Sequence, residues 1–159
     1  MMRIWAPWRM KAILESKHKR GCIFCRLLEM PDGPENLILH RNSETFTIVN
    51  KYPYNTGHLM VIPIAHGADI TKTATSTMAA IGSEIQNAVG VLQTVYGPAG
   101  FNIGTNLGEA AGAGVPDHLH YHIVPRWVGD NNFMPAIGQL KVLPETPEET
   151  YQRLRPQFS

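Results

Sequence analysis

The stretch DHLHYHIVPRW, residues 117 to 127, carries His118, His120 and His122 at every second position. A neutral imidazole titrates near ~6.5, so at neutral pH it offers a lone pair that can attack phosphorus and then leave when a second nucleophile arrives. If the stretch is a strand, the three histidines share one face while Leu119, Tyr121 and Ile123 take the other. The outer pair then lie about 13 Å apart at their Cα atoms, too far for all three to bind one ion from a regular strand, so they need not share a task. His120, flanked on both sides, is the candidate nucleophile. Two other readings stay open on the residues alone. One is a metal hydrolase built on His120, His122 and His58, for which Asp117 has the wrong parity and Glu109 lies in a loop, leaving no obvious carboxylate. The other is three histidines that merely pack or sit at the surface.

Just upstream, GTNLGEAAGAG at 104 to 114 places glycines at 104, 108, 112 and 114. Such a loop can turn backbone N–H groups toward phosphate oxygens, although it lacks the Gly-Lys-Ser/Thr ending of a P-loop and leads into a strand. Read by itself, a loose structural loop is the alternative. Both cysteines of the chain fall in CIFC as Cys22 and Cys25, a spacing that suits metal ligation or redox exchange. A reduced, buried pair is the plainer alternative.

The elements that must position these groups follow from periodicity. LILH, TFTIVN and HLMVIPI read as three strands, separated by Asn42-Ser43 and by Pro53-Tyr54-Asn55-Thr56-Gly57, and predict an antiparallel sheet. From Thr75 to Tyr96 the apolar residues Met78, Ile81, Ile85, Val89, Leu92 and Val95 recur at threes and fours, which predicts one long helix laid on that sheet and ended by Gly97-Pro98. Gly82 and Gly90 within it are read as close-packing positions. Short helices are expected from about Trp8, over Cys25 to Met30 before the turn PDGP, and from Pro147 to Arg155. Phe101-Asn102-Ile103 precedes the glycine loop, and Asn131-Asn132-Phe133 follows the histidine strand. No repeat is present. At 159 residues and 43% hydrophobic composition the chain is expected to be one α+β domain over 1–159, with a basic arm at 1–20 and a C-terminal extension at 144–159.

Fourteen basic against thirteen acidic residues leave a formal charge of +1, which gives no ground for nucleic-acid or membrane partners. The charge is uneven: Arg3, Arg9, Lys11, Lys17, Lys19 and Arg20 face Glu15 alone within the first twenty residues. That arm could steer polyphosphates or form a solvated basic helix. The chain has no bilayer-length apolar run or signal-peptide core, so a cytoplasmic location is expected.

HLHYHIV resembles the signature of the histidine triad (HIT) family, and GHLMVIPIAH resembles that family's second motif. WAPWRM, CIFC, FNIGTNLGEAAGAG, HLHYHIVPRW and GDNNFM are similar to the branch of diadenosine tetraphosphate phosphorylases and ATP adenylyltransferase-like proteins, over Trp5 to Pro144. The resemblance implies a HIT-like fold, an antiparallel sheet covered by one long helix with helical arms at both ends. It implies that His120 attacks the α-phosphorus of a nucleoside polyphosphate, with a backbone carbonyl fixing its tautomer. His122 would contact the transferred phosphate or its bridging oxygen, and His58 would complete the histidine cluster. Asn50 corresponds to the ribose ligand and Ile23, Phe24 and Leu27 to the base-pocket wall, residues that composition alone would assign to core. Asn102 and the backbone of Gly112, Ala113 and Gly114 correspond to phosphate ligands, with Gly104, Asn106 and Gly108 less securely placed. Cys22, Cys25, His66 and His118 correspond to a structural zinc set, which frees His118 from chemistry.

Water as acceptor would make the protein a hydrolase releasing AMP. Orthophosphate would make it a phosphorylase giving ADP and ATP from diadenosine tetraphosphate, and PRW before GDNNFM inclines toward the latter. A departure bears on this. Simple hydrolase members place a glutamine or serine shortly before the triad, whereas Ala113 to Asp117 supply neither, leaving backbone N–H groups more of the electrostatic work. A non-catalytic nucleotide-binding or interaction protein is the third reading, against which the intact alternation speaks. The expected partners are a small nucleoside polyphosphate with a divalent cation as its counter-ion, and a second copy of the chain. Trp5 or Trp8 would dock across such a homodimer or on the body itself.

Overall fold

Three apolar runs set off by turn residues form the expected strands: β1 (Ile38–Arg41), β2 (Thr45–Val49) and β3 (Leu59–Pro63). The computed structural model describes residues 21–130 and 142–158. The basic arm, Trp5, the helix expected from about Trp8, and Asn131-Asn132-Phe133 lie outside the described residues. Two further strands, β4 (Gly100–Thr105) and β5 (Tyr121–Arg126), complete a five-stranded sheet in the order β1-β2-β3-β5-β4. Every neighbouring pair is antiparallel, with β4 at one edge.

Helix α1 (Ile23–Leu28) begins at Cys22, α2 (Thr75–Tyr96) lies across the sheet, and α3 (Pro147–Leu154) closes the C-terminal end. Helix α2 ends where Gly97 adopts a left-handed conformation with φ 53°, as the Gly-Pro pair predicts. Its buried stripe is Thr77, Ile81, Glu84, Ala88, Val91 and Leu92, rotated from the purely apolar one: Met78, Ile85, Val89 and Val95 are only partly buried. Rotation brings a carboxylate inside. Glu84 accepts hydrogen bonds from the Thr47 hydroxyl at 2.6 Å and pairs with His40 Nδ1 at 3.1 Å, which gives the buried charge partners from β1 and β2.

Gly82 and Gly90 are not close-packing positions. Both are exposed, and a Cβ at either would meet nothing within 4 Å. Nothing in the structure explains glycine at these two sites. Gly57 is the opposite case: its φ is +72°, and a Cβ there would stand 3.1 Å from Leu92 Cδ2 and 3.3 Å from Tyr96 and Pro125. The turn before β3 must therefore pass directly over the end of α2, and this approach sets where His58 enters the sheet.

Helix α3 starts at a capping box between Thr146 and Glu149 and buries Thr150, Tyr151 and Leu154 against α2, β1 and β2. One sheet face, with Leu59, Ile123 and Pro125, is thereby sealed by helices. By alternation the other face carries His122, Val124 and Arg126 on β5, opposite Gly104, Asn102 and Gly100 on β4.

Candidate active site and metal centre

Strand β5 begins only at Tyr121, so His122 alone of the three alternating histidines lies within a paired strand. His118 and His120 occupy the approach to it, where the Leu119 N–H donates to the Gly67 carbonyl at 2.7 Å and holds the chain beside the end of β3. Leu119 and Ile123 face the core, as alternation predicts. The histidine rings and two neighbouring aromatics form one continuous row. His66 and His118 are 5.1 Å apart at their centroids, Phe24 lies 5.5 Å from His118 and 5.3 Å from His120, and His120 lies 5.1 Å from His122. His58 continues the row 5.1 Å beyond His122, and Tyr54 stacks on it at 4.8 Å.

Hydrogen bonds fix the tautomer of each neutral ring. The His120 Nδ1–H donates to the His118 carbonyl at 2.8 Å, which leaves Nε2 with its lone pair. Burial holds the His120 pKa below its ordinary value, against the opposing effect of that carbonyl, so the neutral form dominates near pH 7. The Tyr54 N–H donates to His58 Nδ1 at 3.0 Å. His58 must then carry its proton on Nε2, and it donates to His122 Nδ1 at 2.9 Å. His122 in turn carries its proton on Nε2. The row thus presents an acceptor nitrogen on His120 beside a donor nitrogen on His122, the pairing that in-line displacement at phosphorus requires: a nucleophile and a hydrogen-bond donor for the departing oxygen.

His118 is turned to another purpose. Its Nε2–H donates to the Pro63 carbonyl at 2.9 Å, so Nδ1 presents a lone pair to Cys22 Sγ at 3.2 Å, Cys25 Sγ at 3.8 Å and His66 Nδ1 at 3.3 Å. Cys25 Sγ stands 3.5 Å from His66 Nδ1, and all four donor atoms lie within 4.8 Å of one another. A tetrahedral ion with bonds of about 2.0–2.1 Å to nitrogen and about 2.3 Å to sulfur has donor–donor edges of about 3.3–3.8 Å, and the separations of 3.2, 3.3, 3.5 and 3.8 Å lie close to these edges. Burial, followed by the neighbouring Cys22, pushes the Cys25 thiol up, and burial pushes His118 down. Both shifts favour the neutral forms of these side chains, and a divalent ion would reverse the first of them. Among the described residues no other group of His, Cys, Asp and Glu side chains is arranged this way. The three catalytic candidates do not form a metal site together, and the two cysteines are free thiols.

Two grooves lie near this row, and the second is lined by two of its members. The first, about 470 Å³, runs between Cys22, Ile23 and Arg26 at the start of α1 and the loop from Glu109 to Asp117. The second, about 450 Å³, runs over β4 and β5 past Tyr54, Asn102, Gly104, Asn106, His122 and Arg126. The expected nucleotide residues divide between them. Ile23, Gly112, Ala113 and Gly114 line the first, and Asn102 lines the second. Phe24 lies buried against His118 and His120, and Leu27 packs on the core. Asn50 is buried beside His58, its amide nitrogen 3.3–3.4 Å from the ring nitrogens and its oxygen accepting from the Tyr52 N–H.

The glycine loop is less open than its composition predicts. It closes a 3-10 turn (Glu109–Ala111), and the N–H groups of Gly112 and Ala113 donate to the Glu109 and Gly108 carbonyls. Gly114 N–H makes no backbone hydrogen bond among the described residues. Sequence reasoning also missed the group around Arg126, whose signal was its parity with His122 and an aspartate four residues on. It missed Tyr54 as well, which acts through its backbone and ring.

Comparison with known proteins agrees with this geometry. Residues 33–128 match the family model described as the HIT domain. The chain is 35% identical to an "AP-4-A phosphorylase" of Mycobacterium tuberculosis (strain ATCC 25618 / H37Rv), over 167 aligned positions that cover 100% of this chain and 85% of that protein. It is 32% identical to "Adenylylsulfatase HINT3" of Arabidopsis thaliana over 108 residues, 68% of this chain and 53% of the other. A zinc-bound histidine triad family protein from Mycobacterium smegmatis superposes with a TM-score of 0.69 at 27% identity, covering 86% of this chain and 92% of that one.

Proposed function

Because the chain belongs to the HIT-domain family of enzymes, whose chemistry is nucleotidyl transfer or hydrolysis on adenylylated substrates, we propose that it transfers AMP through His120. The substrate of this reading is diadenosine tetraphosphate and the acceptor orthophosphate. His120 Nε2 attacks the α-phosphorus, the P–N bond forms as the bridging P–O bond breaks, and ATP departs with the bonding electrons. An oxygen of orthophosphate then attacks the same phosphorus, the P–N bond breaks, and ADP leaves the restored imidazole. The observation that carries this reading is the pair of assigned tautomers, a lone pair on His120 Nε2 beside a proton on His122 Nε2.

The same reading gives the neighbouring groups their roles. His122 donates to the bridging oxygen, and His58 orients His122. Ile23 borders the base site, with Phe24 and Leu27 behind it, and Asn50 holds the ribose. Asn102 and the Gly112–Gly114 backbone serve the phosphates, with the Gly114 N–H the readiest donor of the three. Cys22, Cys25, His66 and His118 would hold zinc, which would supply a structural cross-link between α1, the segment after β3 and the approach to β5. A second copy of the chain pairs along the β4 edge, where Ile103 is 48% exposed.

Rapid quench of the enzyme with diadenosine tetraphosphate, followed by mass analysis, tests the intermediate. An added AMP on His120 is expected, absent in His120→Ala, with ADP appearing only when phosphate is supplied. AMP and ATP formed irrespective of phosphate would make the protein a hydrolase, and turnover by His120→Ala near the parent rate would end the covalent reading.

A further inference from the structure

We infer that Arg126, clamped between Asp130 and Asn102 over the groove on β4 and β5, is the cationic end of an oxyanion subsite for the acceptor orthophosphate. The same subsite holds the first phosphate of the departing polyphosphate. This rests on the adenylyl-His120 reading, because a displacement that proceeds in two steps at one phosphorus admits its acceptor where its leaving group departed.

The clamp is built from several independent bonds. Asp130 takes the guanidinium in a fork, from Nε at 2.6 Å and from Nη2 at 2.9 Å. Its carboxylate, only 8% exposed, also accepts from the Asn55 amide and from the Trp127 N–H. Arg126 itself is 40% exposed at the groove. Three of its N–H groups bond to Asp130 and Asn102, and two of the five make no hydrogen bond among the described residues. A buried acid with this many donors holds the fork in one plane, and a planar fork with hydrogens to spare suits a phosphate oxygen.

Arg126 also settles the orientation of Asn102. Its Nη1 donates to Asn102 Oδ1 at 2.7 Å, so the amide nitrogen of Asn102 is the end left to donate into the groove. Asn102 pairs with Val124, two residues along β5 from His122, a separation of about 6.6 Å along the strand. An oxyanion that accepts from both sides spans about 8 Å, counting two hydrogen bonds and one oxygen–oxygen edge. One phosphate therefore bridges the Asn102–Arg126 pair and His122. The floor beneath it is bare: Gly104 faces His122 and Gly100 faces Arg126 across the β4–β5 ladder, although a Cβ at either would meet nothing within 4 Å. Packing does not require glycine at those positions, and a side chain there would fill the subsite.

The first test is calorimetric titration of the purified full chain with tripolyphosphate, which needs no chemistry at His120. Arg126→Gln is expected to weaken binding about tenfold or more, Arg126→Lys to fall between, and Lys72→Gln, at an exposed ion pair with Asp69 that lines neither groove, to bind as the parent does. No loss in Arg126→Gln, an equal loss in Lys72→Gln, or no binding by the parent chain overturns the assignment. The second test loads His120 from an aryl ester of AMP, whose leaving group has no phosphate, and discharges it with orthophosphate or water. Arg126→Gln is expected to raise the half-saturating phosphate about tenfold or more and to leave discharge by water unchanged. Equal loss with both acceptors would mark a merely structural clamp and overturn the subsite. Tripolyphosphate binding that depends on Arg126, with no AMP trapped on His120, would instead retain the subsite and reject the covalent reading.

Discussion

Replacing His58 tests the hydrogen-bond relay behind the chemistry. His58 is fully buried and connects the Tyr54 N–H, at 3.0 Å from Nδ1, to His122 Nδ1, at 2.9 Å from Nε2. In His58→Leu both bonds vanish while volume is nearly kept, and His122 is free to carry its proton on Nδ1, where it cannot serve the departing oxygen. A hydrogen bond to a group on which charge develops contributes about 1.5–3 kcal/mol, which predicts an adenylylation rate slower by about 10- to 150-fold. His58→Gln offers an acceptor to Tyr54 and a donor to His122, and is expected to recover most of the loss. The assay is single-turnover loading of His120 from AMP aryl esters whose phenols span a range of basicity. Because the missing donor matters most when the leaving oxygen bears most charge, the penalty should grow with phenol basicity and shrink toward zero for strongly acidic phenols. A uniform loss across the series with no rescue by glutamine would reduce His58 to a packing residue and refute the tautomer argument.

Three further outcomes are expected. Zinc content near one ion per chain should be found by elemental analysis, and a strong chelator or Cys25→Ser should lower the thermal midpoint by several degrees; because burial and Cys22 push the Cys25 thiol up, zinc binding should release protons and tighten as pH rises. Glu84→Ala strands the buried Thr47 hydroxyl and the half-buried His40, and should cost about 2–3 kcal/mol, read as a lower urea midpoint at unchanged slope. Gly82→Ala and Gly90→Ala, where a Cβ meets nothing within 4 Å, should each stabilise α2 by about 0.5–1 kcal/mol in thermal melts.

The strands and the long helix were legible because they are repetitive. β-Branched runs between turn residues mark β1 to β3, and spacing at threes and fours marks α2 down to its Gly97 cap. What periodicity could not register was polarity placed inside for a reason. Glu84 belongs to the buried stripe of α2 only because Thr47 and His40 meet it from other strands, contacts separated by 37 and 44 positions in the chain. Composition likewise overestimated the glycine loop, since counting glycines does not reveal which N–H groups close the loop's own turn. Within the candidate site, residue type and spacing pointed to His120 as the candidate nucleophile, while the roles proposed for its neighbours came from a family resemblance. The Arg126 clamp eluded both, because Asp130, Asn55 and Asn102 converge on it from three separate turns and strands.

His118 connects the cysteine–histidine cluster and the proposed nucleophile on one short segment. Its ring Nδ1 faces Cys22, Cys25 and His66, whereas its main-chain oxygen accepts the proton of His120 Nδ1 at 2.8 Å. One residue therefore joins the cluster to the tautomer of the proposed nucleophile through a single peptide unit. Its ring is held from behind by the Pro63 carbonyl at 2.9 Å, so an ion bound in front would fix the peptide from the opposite side. Phe24, one of the two hydrophobic residues between the cysteines, packs edge-on against His118 and at a tilt against His120, so displacement of α1 would disturb both rings. On the proposed reading, the alternation of His118, His120 and His122 is a division of labour by geometry: a ring for structure, a lone pair for attack and a proton for departure, each assigned by the partner of its second nitrogen.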